Sequence, residues 1–111
     1  MSKNLPPNFT RVKIMTFNDL KFEDWIDGVG VQAWVDFSNG YSTSVVRHTG
    51  SYGSDKGLFE IGVFHGNLMV DPADWGDTVK GWLNESDVEH WLNYIEKLWE
   101  NLTELCLLLA C

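Results

Sequence analysis

Two kinds of hydrophobic spacing divide this chain: strand-like alternation through its first two thirds and a helical period at its end. Val29 to Phe37 and Tyr41 to His48 are β-rich runs separated by Ser38-Asn39-Gly40. Asn-Gly between two such runs predicts a tight hairpin, because both residues accept the positive φ that such a turn requires. In the first run Val31, Ala33, Val35 and Phe37 fall on one face, and Gln32, Trp34 and Asp36 on the other. A second hairpin is predicted for Leu58 to Phe64 against Leu68 to Val70, turning at His65-Gly66-Asn67. Upstream, Val12 with Ile14, and Leu20 with Phe22, alternate briefly before the Asp27-Gly28 turn signal and predict short strands.

From Asn84 onward the spacing changes. Asn84 is a good N-cap, and Glu85 and Asp87 suit the dipole of the first turn, although Ser86 with Glu89 offers an alternative capping box. Val88, Trp91, Leu92, Ile95, Leu98, Trp99, Leu102, Leu105, Cys106 and Leu109 then form one apolar stripe. A helix from Glu85 to Leu109 would be about 37 Å long at 1.5 Å per residue, whereas strands of ordinary length span only ~17–27 Å. Its last turns should overhang the sheet, and an apolar overhang needs a partner. Self-association is therefore expected through Trp99, Leu102, Leu105 and Leu109, with a homodimer as the commonest symmetric solution.

The elements add up to a single α+β domain, an antiparallel meander of four to five strands packed against one long C-terminal helix. Residues 1–9, with Pro6-Pro7, are expected as an arm, 10–70 as the sheet, 71–83 as an acidic connection and 84–109 as the helix. A length of 111 residues suits one domain with a core of its own, and 44% hydrophobic content is far from the disordered regime.

Charge sharpens this picture. The whole net charge of −8 falls in residues 57–111, where only Lys80 and Lys97 offset ten acids. Phosphate backbones demand Lys and Arg, so direct nucleic-acid binding is disfavoured and a basic protein partner is favoured. Asp71, Asp74, Trp75, Asp77, Glu85, Asp87 and Glu89 are the candidate partner-binding residues. Cys106 and Cys111 match neither a disulfide framework nor a zinc pattern. The start MSKNLPPNFT has no apolar signal core, and no apolar run approaches the ~20 residues of a membrane span, so a cytoplasmic protein is expected.

Candidate chemistry is sparse. Gly50, Gly53 and Gly57 lack the Gly-Lys-Ser/Thr helix entry of a phosphate loop. The spacing of Asp71, Asp74 and Asp77 does not fit a calcium loop, and His48, His65 and His90 share no ligand spacing. Neither catalytic nor metal nor cofactor residues are assigned. An enzyme would need a pocket joining His48 or His65 with Glu60, or a dyad such as Asp36 with Glu60.

The strings SNGYSTSVVRHTGSYGSDKGLFEIGVF and GDTVKGWLNESDVEHWLNYI resemble small proteins of tailed bacteriophages and prophages, a family with no assigned activity. The resemblance covers about half the chain; such proteins usually stop near the position of Ile95, whereas this chain continues to LTELCLLLAC. It implies a phage-encoded protein in the host cytoplasm that binds, and inhibits or otherwise modulates, a host or defence protein, with nucleic-acid mimicry as a sharper form. The alternatives are a homo-oligomeric assembly protein and a small hydrolase.

Overall fold

The computed structural model describes residues 15–26 and 28–98. The predicted strand at Val12 and Ile14, and the predicted interface at Trp99, Leu102, Leu105 and Leu109, lie outside these residues. Among them the architecture is α+β, an antiparallel sheet of six strands with one helix on one face. Strands β1 (Glu23–Asp24), β2 (Gly30–Asp36), β3 (Tyr41–His48), β4 (Phe59–His65) and β5 (Leu68–Met69) follow one another across the sheet. Strand β6 (Val79–Leu83) returns to pair with β4.

The β2–β3 hairpin has the expected register, from Asp36 opposite Ser42 to Gly30 opposite His48. Its turn differs from the expectation. Gly40 alone is left-handed (φ 92°), and the amide of Gly40 donates to the carbonyl of Phe37 at 3.2 Å. The loop is the expected Ser38-Asn39-Gly40, closing on a left-handed glycine, but Asn39 does not take the positive φ expected of it. Asn39 is thereby released for another task. It is 5% exposed; its side-chain amide donates to the carbonyls of Ile95 (2.8 Å) and Glu96 (2.9 Å), and its Oδ1 accepts from the Tyr41 amide (3.0 Å). Carbonyls in a helix's last turn lack intrahelical partners, and here a hairpin supplies them.

Two further expectations are corrected. The alternation at Leu20 and Phe22 does not make a strand: Phe17–Asp19 is a 3-10 turn and pairing is confined to Glu23–Asp24. Phe17, Phe22 and Phe59 bring their rings within 5.2–5.6 Å of one another, and Leu20 is buried beside them, so clustering in the core overrides alternation. The acidic connection 71–83 contains β6, masked in sequence by Gly81 and by an extra residue. Phe59 faces Leu83 while Ile61 faces Lys80, so two steps on β4 match three on β6.

The helix α1 (Glu85–Glu96) is capped by Asn84, which accepts from the Asp87 amide at 2.8 Å while the Asp87 carboxylate accepts from the Asn84 amide at 3.1 Å. Its continuous run is Glu85–Glu96 with Lys97 as C-cap, and the expected continuation over 99–109 lies outside the described residues. Val88, Leu92 and Ile95 are fully buried with Ala33, Val45, Ile61 and Val63 of the sheet. The stripe's first half is therefore core, as its period requires.

Candidate functional site

Among the described residues the helix covers one face of the sheet and no element covers the other. Cross-strand partners share a face, and the register lays out three rows on the uncovered side: Glu23–Gln32–Val46–Glu60, Trp34–Ser44–Gly62–Val79 and Asp36–Ser42–Phe64–Met69. The middle row has almost no bulk at Ser44 and Gly62, between taller neighbours. The result is an open depression of about 140 Å³ on that face.

Its lining is largely aromatic and carries one carboxylate, that of Glu60. Trp25 stacks on His48 (ring centroids 4.1 Å apart, 14° between planes), and Phe64 lies 5.1 Å from the half-exposed Trp34. The Trp34 indole and the Ser42 hydroxyl donate to Asp36 Oδ1 at 2.9 and 2.7 Å, and the two bonds, Ser42's first, hold that exposed carboxyl below the usual range. The His48 Nδ1 donates to the Thr49 carbonyl at 2.8 Å, which fixes the orientation of the ring against Trp25.

Glu60 has the opposite environment. Burial pushes its carboxyl up, opposed by the backbone amide of Tyr52 and the charge of His48 and reinforced by Asp77. The bulge explains the isolation: opposite Glu60, β6 swings aside, putting Trp82 at φ 56° and exposing its ring, which stacks on Tyr52 (5.2 Å, 8°). Cations on the flanking strands are engaged on the helix side, Arg47 over Phe59 and Lys80 over Trp91. Because the folded state holds the Glu60 proton more tightly than the unfolded chain, stability falls as pH rises from the ordinary glutamate range through the raised folded value. Glu60→Gln should therefore raise the melting temperature at pH 7 and lose that advantage near pH 4. A gain equal at both pH values, or a loss at pH 7, would refute the desolvated-carboxylate reading.

The other candidates are placed as follows. His48 and Glu60 share the depression, sitting diagonally across β3 and β4. His65 projects to the opposite face against Tyr41 (4.7 Å), and His90 is exposed on the helix. Asp36 and Glu60 share a face but are two strands and four residues apart, about 16 Å by sheet spacing, beyond the range of a glycosidase pair. Ser44 also lines the depression, yet lies four residues from His48 on one strand, about 13 Å. It takes a hydrogen bond from Gln32 at 2.7 Å and forms no triad with His48.

Of the acidic candidates, four serve the fold directly. Asp71 accepts from the amides of Trp75 and Gly76 (2.8 Å each), Asp77 from Thr78, Asp87 from the helix cap and Glu89 from Phe17 at 2.7 Å. Trp75 packs edge-on against Trp91 at 5.2 Å, while Asp74 and Glu85 are exposed. Among the described residues no group of three or more His, Cys, Asp or Glu is arranged to hold a metal, and no helix is long and apolar enough to cross a membrane.

Sequence reasoning missed the depression itself, with Trp25, Phe64 and Met69 on its rim. Trp34 pointing outward beside Gln32 and Asp36 was a visible signal, and extending that parity to β3 and β4 would have found Ser44, Glu60 and Gly62. Comparison with family models, with curated proteins and with solved structures finds no match.

Proposed function

We propose that this chain is a phage-encoded binding protein that modulates a host or defence protein, and that it engages a basic surface through the uncovered face of its sheet. The observation that carries this reading is the face's composition: Trp34, Tyr52, Met69 and Trp82 are each 44–58% exposed, and the Glu60 carboxylate lies in the depression on that face. Large exposed aromatic side chains are the usual anchors of interfaces, and a net charge of −8 favours encounter with a basic partner. The acids of residues 71–89 contribute to that field, but the carboxylates of Asp71, Asp77, Asp87 and Glu89 are positioned by the fold's own hydrogen bonds. This makes them weak support for a phosphate-like array.

Affinity capture from host lysate tests the reading, with wild type beside the double variant Trp34→Glu and Met69→Glu. Wild type should retain a specific protein and release it with added salt, whereas the double variant, with an unchanged melting temperature, should lose it. Equal retention by both would remove the uncovered face from recognition.

A further inference from the structure

We infer that the depression on the uncovered face is a socket for a single side-chain cation, a lysine ammonium or arginine guanidinium of the partner, with Glu60 as counter-charge and Trp25 and Phe64 as walls. The inference deepens the proposed function and rests on it, by naming the chemistry the face selects.

Three observations converge. Among the described residues that line the depression, Glu60 is the only acid, the His48 imidazole sits diagonally across from it stacked on Trp25, and the rest of the lining is largely aromatic and aliphatic. A cation's apolar stem can lie along Val46 and Met69 while its head reaches the carboxylate. Second, aromatic faces attract cations, most strongly where water is thin, and Trp25 and Phe64 flank that path. Third, Arg47 and Lys80, the flanking-strand cations, are turned to the other face over Phe59 and Trp91, so they do not fill the socket. A carboxylate kept on a half-buried floor, where folding alone would favour a neutral residue, is expected of a group held for a ligand.

The small residues give the socket a separable test. An added Cβ at Gly62 would meet side-chain atoms alone, the Met69 Cε at 3.1 Å, the Val79 Cγ1 at 3.6 Å and the Phe64 Cε1 at 4.0 Å, and Met69 is flexible enough to yield. Gly62→Ala should thus fold normally while raising the floor.

The experiment is a proton–nitrogen NMR titration of the full chain with N-acetyl-lysine amide, N-acetyl-arginine amide and the neutral N-acetyl-norleucine amide. At least one cationic probe should shift the Gly62 and Val46 amides and the Trp25 indole, binding in the millimolar range and about tenfold tighter than the neutral probe. Glu60→Gln should abolish that preference, and Gly62→Ala should weaken the cation several-fold with an unchanged fold by circular dichroism. Equal binding of the neutral probe, shifts confined to other surfaces, or no shift at high millimolar concentration would overturn the inference. Capture that still depends on Trp34 and Met69 would then leave the face as the recognition surface without a cation socket. Cation binding with capture indifferent to those residues would overturn the wider reading instead.

Discussion

Asn39→Ala should lower stability by about 2–4 kcal/mol, the sum expected for two lost bonds to helix-end carbonyls and one to the Tyr41 amide in a buried site. In a domain of this size that is a fall in melting temperature on the order of 10–20 °C. Aspartate separates the two explanations of the loss. Asp is a good turn residue and retains an oxygen for Tyr41, so a purely local role predicts that Asn39→Asp is mild. A tertiary cap predicts the reverse: Asp has no amide to donate, and its charge would face the negative end of the helix dipole. Asn39→Asp should therefore match or exceed Asn39→Ala at neutral pH and recover on acidification. A nearly wild-type melting temperature for Asn39→Asp would reduce the residue to turn chemistry.

The second large effect is expected at Gly81, in the β6 bulge. A Cβ there would collide with the Tyr52 Cβ and lie 2.9 Å from the Tyr52 carbonyl oxygen, and backbone cannot step aside as a side-chain end can. The Trp82 amide also donates to that carbonyl at 3.1 Å, so loop and strand are held together at this point. Gly81→Ala should cost about 2–3 kcal/mol, in the upper range for overpacking. It should also unstack Tyr52 from Trp82, changing the near-ultraviolet circular dichroism and tryptophan emission even at temperatures where the chain stays folded. An unchanged spectrum and melting curve would mean that the loop does not bear on the bulge. The pair matters for function because the same displacement removes the Tyr52 amide from Glu60.

Much of the fold was legible in order along the chain. Alternation in β2 separated Ala33 and Val35, facing the core, from Gln32, Trp34 and Asp36, facing away. The helical period placed Val88, Leu92 and Ile95 inward, and the choice of Asn84 as cap followed from its side chain alone. These succeeded because a strand's two faces and a helix's stripe are set by backbone geometry, which repeats with a fixed period whatever lies opposite. The failures share a cause. β6 has too little alternation to be read in isolation, since its bulge and Gly81 make sense only beside β4 and the loop at Tyr52. Leu20 and Phe22 alternate as a strand would, yet they join Phe17 and Phe59 in one cluster.

By itself, then, the sequence determined the α+β class, the β2–β3 hairpin, the start of the helix and the acidic second half. Tertiary structure alone decided that Asn39 would close a helix 56 residues away. It also decided that Ser44 and Gly62 would stand side by side to hollow the sheet, and that Glu60 would face a bulge rather than a partner. The reason is dimensional. Periodicity is a property of one segment, whereas a cap between distant elements, a hollow or an isolated charge depends on the register between segments, which no stretch of residues carries alone.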